Sequence, residues 1–78
     1  GDNEDPTEKW ANDEIKTRVI EAVHILPLKE RTAVSLYYLN GLTLKEIGEV
    51  LGVTESRACQ LRGQGIKRLK FRLRKAVH

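Results

Sequence analysis

A chain of 78 residues with 32% charged and 5% aromatic side chains is long enough for one domain with a small core, because a domain of this size buries only roughly 60–65% of its unfolded surface. An elaborate active-site cavity is therefore not expected. No apolar run reaches the ~20 residues that span a bilayer, and nothing resembles a signal peptide, so we expect a soluble, cytoplasmic protein.

The residue inventory also argues against redox, metal and enzyme chemistry. Cys59 is the single cysteine and cannot close an intrachain disulfide. The only histidines are His24 and His78, and their spacing from Cys59 is not that of a metal site. No nucleophile, base and orienting residue group together, so we expect neither an enzyme nor a cofactor nor a metal site. The chain begins Gly-Asp-Asn and lacks methionine, so we expect a domain cut from a longer protein, with Gly1 left by cloning.

The net charge of +3 is distributed unevenly along the chain. Residues 1–30 hold eight acidic and four basic residues, residues 31–54 hold two of each, and residues 55–78 hold eight basic residues against Glu55 alone. The last third therefore carries +7, and such a block attracts a polyanion and gives salt-dependent binding. A solvated helical face is the simpler interpretation of a charge run.

The pattern predicts helices only. A first helix can start at Asp5-Pro6-Thr7-Glu8, where an acid caps a proline at the first helical position, or at Asn12-Asp13. Its apolar residues recur at helical spacing and predict one buried stripe: Ile15, Val19, Ala22, Val23 and Leu26. We expect residues 1–12 to be an acidic leader, partly disordered or helical, and residues 13–78 to form the folded domain.

Pro27 ends the first helix and can open the second, which we expect to reach about Leu39. Its predicted inner face consists of Ala33, Val34, Tyr37 and Tyr38, and Asn40-Gly41 forms the turn that follows.

The next segment has the features of two short helices joined at a sharp corner. Thr43 and Glu46 form a capping box, so a helix begins at Leu44. Gly48 allows a close backbone approach, and Gly52 is the left-handed C-cap. Thr54 then caps a second helix. The residues that lock the pair together are Leu44, Ile47, Gly48, Leu51, Gly52, Val53, Ala58 and Leu61.

This order and spacing are typical of a helix-turn-helix, which we place at residues 44–62 of an all-α, compact four-helix domain. An αα-hairpin serving only as core would explain the aliphatic residues equally well. It would not explain the opposite face of the last helix, where side chains suited to bases and phosphates cluster: Ser56, Arg57, Gln60, Gln64 and Lys67.

The segment 26–73, LPLKERTAVSLYYLNGLTLKEIGEVLGVTESRACQLRGQGIKRLKFRL, resembles the C-terminal domain, region 4, of bacterial RNA polymerase sigma factors. Within that family it is most similar to the flagellar sigma-28 (FliA-like) group and the related sporulation group, and the similarity covers about residues 13 to 73. The resemblance implies a domain that recognises the −35 promoter element through its last helix and docks on the flap of the polymerase β subunit.

By the same resemblance, Arg57 and Gln60 match positions that contact DNA. Our predicted DNA-binding set is Glu55, Ser56, Arg57, Gln60, Gln64, Lys67 and Arg68. Gly63 and Gly65 depart from the family pattern, and each costs roughly 1 kcal/mol in a helix interior, so we expect a bend or fraying near residue 63 unless close packing, DNA or a protein partner holds the helix. Arg62 is expected to snorkel outward from the core side, and Cys59 to be a small, partly buried residue.

Two alternative functions stay open at this point. One is the DNA-binding domain of a dimeric regulator of the response-regulator type, which predicts self-association on paired half-sites. The other is a module whose basic helix is held by an acidic partner such as an anti-sigma factor. Neither alternative involves a membrane or a small-molecule substrate.

Overall fold

The computed structural model describes the backbone of residues 6–77 and the side chains of residues 13–75. Four helices follow one another in this part of the chain: α1 (Pro6–Ile25), α2 (Leu28–Tyr38), α3 (Leu44–Leu51) and α4 (Glu55–Val77). The described residues contain no strand. The predicted all-α, four-helix class is therefore confirmed.

The first helix starts at Pro6, the earlier of the two predicted starts, and it continues through Asn12-Asp13 without interruption. The predicted leader at 1–12 lies outside the described residues in its first five positions. Proline fits the first turn of a helix because its missing N–H would have no intrahelical partner there. The predicted boundary between residues 12 and 13 falls inside α1.

The buried stripe predicted for α1 is correct only in its second half. Ala22 and Leu26 are buried and Val23 is partly buried, whereas Ile15 is 58% exposed and Val19 37% exposed. Every described residue from 13 to 21 is exposed, because only the last turns of α1 pack on α2 and α4.

Two apolar clusters hold the helices together. The first joins the end of α1 to α2 and α4 through Ala22, Leu26, Val34 and Leu69. The second joins α2, α3 and α4 through Ala33, Ile47, Ala58 and Leu61, with further half-buried side chains around it. Because α4 contributes to both clusters, it is the helix on which the other three pack.

In α2, Ala33 and Val34 are buried and Tyr37 packs at the edge of the second cluster, as predicted. Tyr38 is 57% exposed, so its predicted place on the inner face is wrong. It lies at the last turn of the helix, where the edge of its ring contacts the ring of Tyr37 at a centroid distance of 4.9 Å.

None of the helices described over residues 6–77 is both long and apolar enough to cross a membrane.

Candidate nucleic-acid interface

The start of α3 is fixed by the predicted capping box. The Thr43 N–H donates to Glu46 Oε1 at 2.9 Å, and the Glu46 N–H donates to Thr43 Oγ1 at 3.1 Å. These bonds satisfy two amides that the first helical turn leaves free. The pKa of the Glu46 carboxyl lies below its usual value, first because the Thr43 N–H donates to it and second because the Thr43 hydroxyl also interacts with the carboxylate.

The corner between α3 and α4 depends on two glycines. Gly52 has φ +69° and ψ 34°, the left-handed conformation that glycine adopts without a Cβ penalty. A Cβ on Gly48 would lie 2.8 Å from the Val53 carbonyl oxygen, closer than side chains tolerate. Only glycine at position 48 therefore lets the start of α4 approach α3 this closely.

The first turn of α4 is capped by Thr54, whose hydroxyl accepts a hydrogen bond from the Arg57 N–H at 3.0 Å. From there Ala58, Leu61, Gly65 and Leu69 are buried along one side of the helix. The predicted helix-turn-helix core is thus assembled, with Ile47, Ala58 and Leu61 buried and the others packed around them: Leu44, Leu51 and Val53.

All seven predicted DNA-binding residues are exposed on α4. We call this surface the outer face of α4. It consists of Glu55, Ser56, Arg57, Gln60, Gln64, Lys67 and Arg68.

Arg57 and Gln60 are joined on this face, since Arg57 Nη1 donates to Gln60 Oε1 at 3.2 Å. A guanidinium group can only donate, so the oxygen of the Gln60 amide must face it and the NH₂ group points away. A bidentate grip on adenine needs both ends of a glutamine amide. In this arrangement one of the two lone pairs of Gln60 Oε1 is used by Arg57, and the free NH₂ group of Gln60 can donate to acceptors on base edges or phosphates.

Arg68 is placed differently from the rest of the set. Its Nε lies 2.8 Å from Oε1 of Glu30 on α2, and the Glu30 side chain is 7% exposed whereas that of Arg68 is 62% exposed. The contact is an ion pair without hydrogen-bond alignment, and Glu30 Oε1 has no aligned donor among the described residues. Sequence reasoning missed this pair, because an acidic residue in the first turn of a helix is common and nothing in the sequence indicates that Glu30 is buried against α4.

The two glycines of α4 do not interrupt it: the helix runs unbroken from Glu55 to Val77, without fraying near residue 63. A Cβ on Gly65 would lie 2.6 Å from Val34 Cγ2, so this glycine permits the contact of α4 with α2. A Cβ on Gly63 would meet nothing within 4 Å.

The predicted environments of two neighbouring residues are revised by the structure. Arg62 is half-buried, and its guanidinium carbon lies 4.5 Å from the ring centroid of Tyr37, which makes a cation–π contact. Cys59 is exposed, so the expectation that it would be partly buried is wrong.

Sequence reasoning also missed two grooves that flank α4. The first, which we call the apolar groove, lies between α1, α2 and α4 and is lined mainly by aliphatic side chains and Tyr38. The second, which we call the basic groove, lies between the α1–α2 corner and α4 and combines Ile25 and Phe71 with Lys67, Arg68 and Arg72. The apolar groove is lined by Val19, Ile20, Val23, His24, Arg31, Val34, Ser35, Tyr38, Leu39, Ile66 and Leu69.

Comparison with known proteins finds sequences similar to this chain. The family model described as Sigma-70, region 4 matches residues 22–70. The RNA polymerase sigma factor FliA of Escherichia coli (strain K12) is 46% identical over 72 residues, which cover 92% of this chain and 30% of that protein.

FliA of Yersinia enterocolitica is 48% identical over 68 residues, covering 87% of this chain and 30% of the relative. The RNA polymerase sigma-D factor of Bacillus subtilis (strain 168) is 40% identical over 75 residues, which cover 96% of this chain and 30% of that protein. The chain thus spans about 30% of the length of these curated relatives. No solved structure matches it.

Proposed function

The chain belongs to the sigma-70 region 4 family, and on that premise we propose that it is the C-terminal DNA-binding domain of a flagellar-type RNA polymerase sigma factor, which recognises the −35 promoter element and directs transcription initiation. The observation that carries this proposal is the outer face of α4. It presents Arg57 and Gln60 to solvent at the start of a helix whose other side is locked into the core.

The proposed mode of binding follows from this geometry. The N-terminal turns of α4 enter the major groove, which is wide enough for a helix, while α3 braces against the sugar–phosphate backbone. Arg57 and Gln60 contact base edges. The basic residues further along α4 meet phosphates, which position the domain without reading sequence. This role would place the protein in the cytoplasm with the polymerase.

Two substitutions test the separate roles of base contacts and phosphate contacts. Arg57→Ala removes a base contact, so it should cost about 1–3 kcal/mol of affinity for a −35 duplex and relax base preference. Lys70→Ala removes one exposed positive charge, so it should weaken binding to −35 and scrambled duplexes alike. Fluorescence anisotropy measures the affinity of each variant for both duplexes. An equal loss of affinity for both duplexes in Arg57→Ala would contradict base readout by this residue.

For the polymerase we propose the apolar groove as the docking surface for the β-subunit flap. Ile20 at its edge is 57% exposed and Leu39 is 82% exposed, and exposed aliphatic groups around a groove are typical of interaction sites. Ile20→Asp should abolish capture of the isolated flap in a pull-down. Ile15→Asp is the matched control, since Ile15 is similarly exposed at 58% but lies outside the groove.

An anti-sigma factor is the further partner that we propose, and the basic groove is its candidate site. Its cations beside Ile25 and Phe71 suit an acidic segment with apolar side chains. Competition between such an inhibitor and −35 DNA would support this assignment.

Family membership favours the sigma-factor function over the alternative of a dimeric regulator. Analytical ultracentrifugation that finds one copy of the chain on each duplex would exclude the dimeric regulator.

A further inference from the structure

The contact between α2 and α4 at Glu30 is among the closest in the domain. A Cβ on Gly65 would lie 3.3 Å from the Glu30 carbonyl oxygen and 3.5 Å from Glu30 Cβ, so the two helices almost touch through their backbones here. Glu30 is also the one buried charged residue within the described part of the chain, at 6% exposure. Its carboxylate is therefore shielded from solvent beside α4.

Arg68 lies one turn after Gly65 and brings its Nε to that carboxylate. The Nε atom is 2.8 Å from Glu30 Oε1, while the side chain as a whole is 62% exposed. A guanidinium has five N–H donors in a rigid fork. The ion pair engages Nε, and because 62% of the Arg68 side chain is exposed, the guanidinium stays accessible to an anion.

The position of Arg68 along α4 decides what those donors can reach. Arg57, Gln64 and Arg68 are spaced seven and four residues apart, which places them along one edge of the helix. Eleven residues at 1.5 Å each put Arg68 about 16 Å beyond Arg57 along the axis. The major groove is only about 12 Å wide. When Arg57 lies at the bases, Arg68 is thus at the level of the phosphate backbone.

We propose that Glu30 is a positioning residue for DNA binding: it holds Arg68 by Nε so that the free end of the guanidinium clamps one DNA phosphate. This inference rests on the proposed function. Its physical basis is that a side chain ordered before binding loses less conformational entropy when it binds. Glu30 itself does not touch the DNA.

The proposal predicts an effect of opposite sign to simple electrostatics. Removing a negative charge from a DNA-binding protein should strengthen binding if only net charge counts. Glu30→Gln should instead weaken binding about two- to tenfold, because Arg68 must then be ordered on binding. The matched control is Glu21→Gln, which removes the same charge from an exposed position of α1 and should leave binding unchanged or slightly tighter.

The experiment measures affinity for −35 and scrambled duplexes by fluorescence anisotropy over a salt series, with the fold of each variant checked by circular dichroism. Arg68→Ala should weaken binding to both duplexes and reduce the salt slope by about 1, as expected for one lost phosphate contact. In the Arg68→Ala background, Glu30→Gln should no longer weaken binding. Tighter or unchanged binding by folded Glu30→Gln in the wild-type background would overturn the proposal.

Arg68→Lys keeps the charge and tests the fork without altering the buried carboxylate. A lysine ammonium is a single point charge and cannot serve Glu30 and a phosphate in the same way, so this variant should bind DNA more weakly than wild type. If Glu30→Gln fails to fold, Arg68→Lys decides, and wild-type affinity would overturn the proposal. Absence of duplex binding by the wild type, or of any loss in Arg57→Ala, would instead overturn the proposed function together with this inference.

Discussion

Gly63 and Gly65 show how the surroundings of a residue decide what glycine contributes. Gly63 lies in a helix interior with open space where a Cβ would stand, whereas Gly65 lies against Val34 and Glu30 of α2. The sequence identified both glycines as costly in a helix. It could not separate them, because the neighbours of Gly65 belong to another helix and contribute through packing alone.

We expect alanine at these two positions to change the free energy of unfolding in opposite directions. Gly63→Ala should raise it by about 1 kcal/mol, the difference in helix propensity. Gly65→Ala should lower it, because an overpacking cost of about 1–3 kcal/mol exceeds that gain. Urea unfolding followed by circular dichroism measures both. A shift of the two variants in the same direction would contradict the packing described for Gly65.

At the scale of elements, sequence predicted best those features that are encoded within a few residues. The capping box of α3, the left-handed Gly52 and the close approach at Gly48 all depend on local spacing, and all three are found. The stripe of α1 depends on what packs against it. Helical periodicity identifies an apolar face but not how far along that face a partner helix extends, so Ile15 and Val19 were wrongly expected in the core.

The capping box of α3 also gives a pH dependence. The pKa of Glu46 is lowered in the folded chain from its usual value near 4.5, so the unfolded chain holds the proton more tightly than the folded chain does. The stabilisation by this carboxylate is therefore complete above about pH 4.5 and is lost as the pH falls through the lowered value.

Glu46→Gln replaces the carboxyl with an amide that does not titrate, so wild type is compared with this variant at each pH. Wild type should be more stable than Glu46→Gln at neutral pH, and the difference in urea midpoint should shrink as the pH is lowered towards 3. Circular dichroism in a buffer series measures the two midpoints. A difference that stays constant over the whole pH range would show that the capping carboxylate does not titrate as described.

At the scale of the whole molecule, charge is separated along the chain and collected on one helix. Residues 1–30 carry −4 and residues 55–78 carry +7, and three of the basic residues of α4 belong to its outer face: Arg57, Lys67 and Arg68. The sequence alone could establish this separation. It could not establish the two grooves beside α4, since the apolar groove is lined by residues of three helices and the basic groove by residues of α1, the α1–α2 corner and α4.

A helix with this charge should bind duplex DNA with a steep salt dependence. For about four phosphate contacts, the affinity should fall on the order of a hundredfold between 50 and 200 mM salt, as condensed counterions are released. The slope should be similar for −35 and scrambled duplexes, because phosphates do not report sequence. Anisotropy titrations at four salt concentrations measure it, and affinity independent of salt would be incompatible with binding through α4.

The measurement that most directly tests the proposed DNA-binding surface is an NMR titration of the ¹⁵N-labelled chain with a −35 duplex. We predict that the largest amide shift changes fall between Glu55 and Arg68, centred on Arg57 and Gln60, with smaller changes in α3 and little change in the apolar groove. Largest changes in α1 and α2, with the start of α4 unaffected, would contradict the assignment of the outer face of α4 to DNA.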